Sequence, residues 1–296
     1  MPFKYFIELV ILASIWGSSF IFMGITAPEF GPVMLITLRT AIAALCLLPF
    51  LFNAQSKSQL RTYWRPILFV GLVNTAIPFC LFSYSLLYIG AGYASVLNAC
   101  APMFGALVGF FWLKDDITAM AIFGLVLGFV GVVILSLAHQ AAFAQVSLLP
   151  VMAALLATFL YGVAACFAKQ YLQGVKAFVV AGGSQCFAAL CLLPVSLFFW
   201  PSSMPSLTSW LHLIILGVLC TAIAYIMYFR LIANVGGANA ITVAYLVPVF
   251  GVFWAMVFLQ ERLSVGMWIG AGLVLAGVCL ATGVVKRRRL IIKPAL

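Results

Sequence analysis

The heptapeptide AALCLLP occurs twice in this chain, at residues 43–49 and again at residues 188–194. The two copies stand 145 residues apart in a sequence of 296 residues. An identical block repeated at about half the chain length indicates an internal duplication, because repeated architectures show self-similarity at a fixed offset. The second half is therefore expected to build the same set of elements as the first.

Residues with special packing roles keep matching beyond the heptapeptide, now at an offset of 146. Shared hydrophobicity does not explain these matches, because glycine, proline and tryptophan recur as well as aliphatic residues. They predict two repeats, at residues 1–140 and 141–296. The matched pairs are Trp64 and Trp210, Gly71 and Gly217, Thr75 and Thr221, Gly90 and Gly236, Pro102 and Pro248, Gly105 and Gly251, Gly124 and Gly270, and Gly131 and Gly277.

Composition identifies the medium in which the repeats fold. Hydrophobic residues make up 66% of the chain, charged residues 7%, and the mean hydropathy is +1.25. An ordinary soluble domain carries about 25% charged residues, so a soluble fold is excluded. About 20 apolar residues cross the roughly 30 Å of hydrocarbon in a bilayer. Ten such spans are predicted, at residues 5–25, 32–52, 66–88, 92–113, 117–138, 147–169, 177–199, 211–231, 236–259 and 265–285.

Basic residues fall on one side of the membrane when the N-terminus is placed in the cytoplasm. Thirteen Lys and Arg residues then lie at cytoplasmic loops or ends, and only Arg262 lies outside. The positive-inside rule predicts this asymmetry, so both termini are expected in the cytoplasm. The basic cluster at residues 286–289 is then a topology anchor on a cytoplasmic C-terminal tail. The net charge is +10, and the partner expected for these basic residues is the lipid bilayer rather than a nucleic acid.

Each repeat contains five predicted spans, an odd number, so the second repeat enters the membrane from the opposite side. The fold class predicted is an all-α integral membrane protein with ten transmembrane helices in two inverted five-helix repeats. Inverted repeats are common in secondary transporters, where a pseudo-two-fold axis in the membrane plane surrounds a central site. This construction favours transport over catalysis.

Residue types for covalent or metal chemistry are sparse. All eight cysteines lie within predicted spans and none forms a CxxC pair. No phosphate loop, paired catalytic carboxylates or metal-ligand cluster is visible, so no catalytic residue, metal or cofactor is predicted. Two alternatives to a transporter stay open: a membrane pore or scaffold, and an intramembrane enzyme, which would need a serine with a histidine partner or clustered acids.

Several short motifs recur in a characteristic order along the chain. They are WGSSF at residues 16–20, Leu38 and Arg39 followed by AAL at residues 43–45, Pro102 in the fourth span, and LQERL at residues 259–263. In order and spacing the chain resembles the EamA-type branch of the drug/metabolite transporter superfamily over essentially its whole length. The resemblance implies a ten-helix fold with a central cavity that moves amino acids, drugs, sugars or other metabolites. It also implies the inner membrane of a bacterium.

Aromatic residues at helical spacing are candidates for lining such a cavity. On the third span Thr75, Phe79 and Phe82 share a face, and Thr221, Tyr225 and Tyr228 repeat the arrangement on the eighth. Ordinary packing, with the tyrosine hydroxyls bonded to nearby carbonyls, is the alternative. Trp16 and Ser19 on the first span and Tyr161 on the sixth join the candidates, partly through the resemblance.

A polar stripe on the fourth span supplies further candidates. Asn98 costs free energy in hydrocarbon unless it is bonded, and Pro102 frees a carbonyl one turn before it. The counterpart span carries Asn239 and Thr242. Close helix packing is the alternative for both stripes. The glycine pairs Gly124/Gly128 and Gly266/Gly270 similarly predict flat faces, for packing within the chain or for a homodimer seam.

Charged residues inside the spans are few. Arg39 is either functional, as buried arginines in membranes generally are, or structural, bonding helix-end carbonyls or reaching outward. Glu8 lies near the cytoplasmic end of the first span, and His139 and His212 are expected to be wet surface histidines at outer ends. Because a proton-coupled pump usually needs a titratable group along its path, facilitated movement is favoured.

These observations predict a secondary transporter working by alternating access. It is expected to export small neutral, zwitterionic or amphipathic metabolites, such as amino acids or drug-like solutes, or to facilitate their movement. Polyanionic substrates are disfavoured, since they would need several Arg or Lys groups at mid-depth. The identity of the solute, the direction of transport and the oligomeric state, including a homodimer, are left open by the sequence.

Overall fold

The structure, a computed structural model, describes residues 2–142 and 147–282. Every regular element in those residues is helical. The predicted basic tail at residues 286–289 lies outside the described residues. The α-helices are α1 (Phe3–Phe30), α2 (Pro32–Leu47), α3 (Ala54–Thr62), α4 (Trp64–Val70), α5 (Ile77–Ser85), α6 (Ala91–Asn98), α7 (Ala101–Val108), α8 (Ala119–Ala142), α9 (Leu149–Tyr171), α10 (Ala177–Ser196), α11 (Leu207–Gly217), α12 (Ala224–Val235), α13 (Gly237–Ala240), α14 (Val243–Phe258) and α15 (Val265–Ala281).

Helix starts follow from local chemistry at the loops. The side chains of Asn53, Ser206 and Ser264 each accept a hydrogen bond from a backbone N–H three residues on, so they cap α3, α11 and α15. Proline begins α2 at Pro32, where its missing N–H costs nothing. Gly31 precedes it with φ 73°, which turns the chain sharply between α1 and α2.

Eight helical stretches in the described residues are long and apolar enough to cross a bilayer. They are Phe3–Phe30, Pro32–Leu51, Trp64–Ser85, Ala91–Leu113, Ala119–His139, Leu149–Tyr171, Ala177–Phe199 and Leu207–Val235. Two further apolar helices, α14 and α15, have 16 and 17 residues. The prediction of an all-helical membrane protein is confirmed, and the count of ten spans stays a prediction.

Glycines allow the repeats to cross closely, and each crossing has a counterpart. A Cβ on Gly17 of α1 would lie 2.8 Å from the Gly251 nitrogen in α14. A Cβ on Gly162 of α9 would lie 2.7 Å from the Gly105 nitrogen in α7. Gly162 is equivalent to Gly17, and Gly251 to Gly105, so the first helix of each repeat contacts the fourth span of the other.

The predicted flat glycine faces pack within the chain. In α8 and α15, a Cβ on Gly131 would lie 2.7 Å from the Val274 nitrogen, and one on Gly270 would lie 2.7 Å from the Leu135 nitrogen. Gly124 and Gly128 likewise face the backbone of α15 at Gly277. These faces are therefore occupied and are not available to a second copy of the chain.

Two π-helical segments stand at equivalent places in the repeats. Gly71–Ala76 joins α4 to α5, and Val218–Ile223 joins α11 to α12. The Thr221 hydroxyl donates to the Leu216 carbonyl five residues back, as the wider π turn allows. π turns often occur at functional sites.

Candidate functional site

Arg39 of α2 is 4% exposed and is the one Lys, Arg, Asp or Glu residue that is buried in the described chain. Its Nε donates to Thr221 Oγ1 at 2.9 Å, and its Nη1 lies 3.0 Å from Met23 Sδ. The guanidinium carbon lies 4.1 Å from the centre of the Phe79 ring. Arg39 thus joins the first repeat to the π-helical segment of the second.

The Arg39 guanidinium has no carboxylate partner among residues 2–142 and 147–282. Ion pairs in that part of the chain link Lys169 with Asp115 and Arg230 with Glu8. A buried charge costs several kcal/mol; a desolvated cation–π contact returns about 2 kcal/mol or more, and a hydrogen bond from a charged donor about 1.5 to 3 kcal/mol. These contacts reduce the cost of burying the charge of Arg39, but none of them brings a negative charge to it.

Thr221 positions the guanidinium through a two-bond arrangement. Its hydroxyl hydrogen points to the Leu216 carbonyl at 2.8 Å, which leaves the oxygen lone pairs for Arg39 Nε at 2.9 Å. The hydroxyl is thereby fixed as an acceptor toward Arg39. The arrangement needs the π turn, because the carbonyl and the hydroxyl belong to residues five apart.

Aromatic rings from four helices surround this point. Phe79 and Phe82 of α5 have ring centres 6.5 and 6.1 Å from that of Tyr161 in α9. Trp16 of α1 lies 6.4 Å from Tyr225 and 5.2 Å from Tyr228 of α12, again between ring centres. Tyr161 contacts Phe79, over which the guanidinium lies, and Tyr225 follows the π-helical segment that carries Thr221. We define the Arg39 cluster as Met23, Arg39, Phe79, Tyr161, Thr221 and Tyr225.

Side chains in and beside the Arg39 cluster keep accessible polar groups in the middle of the bundle. Trp16, Phe79, Tyr161, Tyr225 and Tyr228 are half-buried although their rings contact one another between helices. The hydroxyls of the three tyrosines make no hydrogen bond within the described residues. Each of these side chains keeps some accessible surface, so a solute could supply the missing hydrogen-bond partners.

The structure brings five of the predicted site residues together around Arg39: Trp16, Phe79, Tyr161, Tyr225 and Tyr228. Thr75 is fully buried, and its hydroxyl has no hydrogen-bond partner. Ser19 donates to the carbonyl of Trp16 at 2.7 Å in its own helix.

The predicted polar stripes make none of the hydrogen bonds or ring contacts that join the Arg39 cluster. Asn98 is half-buried at the end of α6, and α7 begins at Ala101 after a two-residue break, with Pro102 in its first turn, so the expected helix break is present. At the counterpart, Asn239 is exposed and donates to the Val235 carbonyl at 2.7 Å. Thr242 donates to the Asn239 carbonyl at 2.6 Å. Both counterpart side chains thus donate to nearby backbone carbonyls, at the end of α12 and in α13.

Arg39 follows neither structural alternative considered from the sequence. It reaches a hydroxyl, a thioether and a ring rather than helix-end carbonyls, and it is buried rather than extended to the surface. Sequence reasoning missed Thr221 as its acceptor and Met23 as its neighbour. Thr221 carried a signal, since it recurs at the position equivalent to Thr75, but Met23 carried none.

The expectation of wet surface histidines is wrong for His139, which is 4% exposed because Tyr93 packs on its ring at 4.5 Å between centres. His212 is half-buried beside Phe22, and its Nδ1 is a buried atom without a hydrogen bond. Glu8 pairs with Arg230 at 3.5 Å near a helix end. In the described residues no group of three His, Cys, Asp or Glu could hold a metal ion.

The fourth and ninth predicted spans form a pair whose two ends differ in what the carboxylate beside each end binds. Glu261 accepts hydrogen bonds from the backbone N–H groups of Ala91 and Gly92, at 2.7 and 3.0 Å, at the start of α6. The equivalent residue Asp115 instead receives Lys169 Nζ at 2.8 and 3.0 Å. A Cβ on Gly237, at the start of α13, would meet no atom within 4 Å.

A cavity of about 750 Å³ opens elsewhere, between the α1–α2 turn, α5 and the end of α10. Its walls include Phe30, Ile77, Cys80, Leu192 and Phe199, and none of the predicted site residues lines it. Its walls are largely apolar and it lies at the ends of the helices, so lipid chains suit it better than a polar solute.

Comparison with known proteins gives a consistent result. The model of the EamA-like transporter family matches residues 4–137 and again residues 148–283. An uncharacterized transporter of Bacillus subtilis is 23% identical over 97% of this chain and 99% of its own length. One of Archaeoglobus fulgidus is 25% identical over 96% of this chain and 100% of its own.

An Escherichia coli protein named "Probable amino-acid metabolite efflux pump" is 23% identical over 91% of each chain. A crystal structure that covers 95% of this chain and 97% of its own superposes with a TM-score of 0.68 at 20% identity. At that identity the likeness extends to the fold alone.

Proposed function

Because the chain belongs to the EamA-like transporter family and is a membrane transporter, we propose that it is a secondary carrier that moves a small organic solute by alternating access. The Arg39 cluster carries this proposal. Residues from both repeats meet there, and some of its polar groups have no hydrogen-bond partner in the described residues. Carriers of this construction hold their substrate where the two repeats meet.

The membrane arrangement proposed has ten spans, inverted repeats and cytoplasmic termini. Its support is the reciprocity of contacts between the repeats together with the one-sided distribution of Lys and Arg. Gly71 packs against the Ser184 carbonyl and Gly217 against the Arg39 carbonyl, at 2.8 and 3.3 Å from a Cβ. Ser184 is the equivalent of Arg39, so the same contact occurs twice with partners exchanged.

Alternating access is supported by the unlike ends of the pair formed by the fourth and ninth spans. The loops that carry Asp115 and Glu261 have the same backbone, with φ 58° at Lys114 and 55° at Gln260. Only Glu261 binds the start of a helix, and it therefore closes one end. With the proposed topology this closed end is the outer one.

The proposed substrates are small zwitterionic, neutral or amphipathic metabolites, and the proposed location is the bacterial inner membrane. One buried cation suits a solute with at most one negative charge, because each further anionic group would need its own donor at depth. The name of the Escherichia coli relative, which mentions amino-acid metabolites and efflux, agrees with this class and with export.

The test is flux into proteoliposomes of radiolabelled amino acids and amphipathic cations, with and without a pH gradient. The carrier should show saturable flux, and Tyr225→Ala and Asn98→Ala should reduce it. Tyr88→Ala is the matched control, because Tyr88 is 55% exposed and outside the cluster. Linear flux that no solute competes for would indicate a pore instead.

A further inference from the structure

We propose that Arg39 binds a carboxylate and that the transported solute is an organic monocarboxylate, with or without an amino group, whose apolar body packs on the surrounding rings. This inference rests on the proposed carrier function and specifies its substrate class. It follows from one group, the buried guanidinium, and from what the protein fails to provide for it.

The charge of Arg39 favours an anionic ligand. Arg39 stays protonated in any protein environment, so the bundle buries a permanent positive charge. Its protein contacts are a hydroxyl, a thioether and the face of Phe79, none of which is anionic. A buried cation without an anionic partner is costly, so the guanidinium is suited to bind an anionic group during function.

The unused hydrogen-bond donors of Arg39 favour a carboxylate among the anionic groups. A guanidinium has five N–H donors in a planar fork that matches the two oxygens of a carboxylate. Nε donates to Thr221 and Nη1 contacts Met23, which leaves three N–H groups, including both on Nη2, without an acceptor in the described residues. These remaining donors lie at one end of the fork, where a carboxylate can bind.

The number of buried cations and the shape of the surrounding rings specify the solute further. Ser184, the equivalent of Arg39 in the second repeat, donates to the Ala181 carbonyl at 2.9 Å and offers no second cation. One anionic group is therefore accommodated. The rings of Phe79, Tyr161 and Tyr225 present flat surfaces beside it, which favours an aromatic or branched apolar body over a compact hydrophilic one.

The experiment measures binding directly, so that it does not depend on transport. The full chain in nanodiscs is titrated with phenylacetate, phenylacetamide and phenethylamine, which share a ring and differ in the charge of the head group. Calorimetry gives the dissociation constants for wild type, Arg39→Gln, Arg39→Lys and Arg230→Gln. Arg230 is the control because it is an exposed arginine with its own partner, Glu8.

We expect wild type and Arg230→Gln to bind phenylacetate at least about tenfold more tightly than the amide or the amine, as charge-assisted hydrogen bonds predict. Arg39→Gln should lose this preference, and Arg39→Lys should keep part of it. Equal binding of acid and amide by wild type, tighter binding of the amine, or unchanged acid binding by Arg39→Gln would each overturn the proposal.

A stability measurement separates this role from a structural one. If Arg39 serves the solute, Arg39→Met should raise the melting temperature of the empty protein, because an uncompensated buried charge is replaced by a side chain that packs. Phenylacetate should then stabilise wild type and fail to stabilise Arg39→Met. A lowered melting temperature in Arg39→Met, with phenylacetate stabilising both proteins, would assign Arg39 to the scaffold.

Failure of the proposed function would look different. Selective binding of phenylacetate without saturable flux of any carboxylate would contradict the carrier and leave the site intact. Saturable flux of amines or neutral solutes that is unchanged in Arg39→Gln would support the carrier and contradict the carboxylate site.

Discussion

Thr75 and Thr221 occupy equivalent positions in the two π-helical segments, yet their hydroxyls have opposite fates. The Thr221 hydroxyl donates to Leu216 and accepts from Arg39, whereas the Thr75 hydroxyl is buried without a partner. A buried polar group without a hydrogen bond costs about 1 to 3 kcal/mol. The same residue type therefore contributes to the site in one repeat and opposes folding in the other.

The pair gives a matched test at the residue scale. Thr75→Val keeps the shape and removes the unpaired hydroxyl, so we expect a stability gain of about 1 kcal/mol in thermal unfolding. Thr221→Val removes the oxygen acceptor of Arg39, and phenylacetate binding should weaken about fivefold. If Thr75→Val instead abolished flux, the hydroxyl of Thr75 would be a substrate contact.

Candidate residues were predictable only where the repeat or helical spacing exposed them. The spacing of Phe79, Tyr225 and Tyr228 identified the aromatic faces, and these lie around Arg39. The partner of Arg39 was not predictable, because Thr221 is 182 residues away in sequence and the equivalent of Arg39 is a serine. Asn239 and Thr242 were proposed by analogy with the fourth span, but both donate to backbone carbonyls within four residues of themselves.

The helix pair α8 and α15 provides a prediction at the scale of elements. A Cβ on Gly277 would lie 2.6 Å from the Gly124 carbonyl oxygen, whereas one on Gly272 of the same helix would meet no atom within 4 Å. We expect Gly277→Ala to lower the melting temperature markedly. Gly272→Ala should leave it unchanged or raise it, because alanine favours helix by about 1 kcal/mol.

Equal melting temperatures for Gly277→Ala and Gly272→Ala would contradict the close packing of these helices. The measurement is a thermal unfolding curve in detergent, followed by fluorescence and compared with wild type.

Glu261 supplies a second prediction at this scale. Glu261→Gln has one acceptor oxygen where the carboxylate has two, so the contact with Ala91 and Gly92 should weaken by more than 1 kcal/mol. The population with the outer end open should rise about tenfold. Asp115→Asn is the control, because Asp115 lies at the other end of the span pair and contacts Lys169.

Spin labels at Tyr88 and Gln260 report this equilibrium, since both residues are exposed near the Glu261 contact. Labelling through noncanonical residues leaves the eight native cysteines in place. A distance distribution that is the same in wild type and Glu261→Gln would exclude Glu261 as the closing contact.

Elements were largely predictable from apolar length and the repeat offset, but their internal irregularities were not. Apolar length placed all eight of the long spans near their observed positions. The π turns at Gly71–Ala76 and Val218–Ile223 gave no separate signal, since their residues are as apolar as the α-helical turns beside them. Packing against the other repeat, rather than local propensity, selects the wider turn.

Topology is the prediction that belongs to the whole molecule. Met204 is 85% exposed in the loop before α11, and Lys57 is exposed in α3. A membrane-impermeant maleimide should label Met204→Cys and Gln260→Cys from outside intact cells. Lys57→Cys should react only after the cells are permeabilised.

Wild type serves as the baseline for the native cysteines in this labelling. Protection of Gln260→Cys from outside would mean that α14 does not cross, which would contradict the arrangement of ten spans in inverted repeats.

Because the glycine contacts are reciprocal, a substitution in one half of the molecule can be compared directly with the equivalent substitution in the other half. Gly17→Ala and Gly162→Ala insert the same methyl group into the same crossing, at 2.8 and 2.7 Å from a backbone nitrogen. In a perfectly symmetric protein the two variants would lose equal stability. Any difference between them therefore measures, within a single chain and a single solvent, how far the conformations of the two halves have diverged.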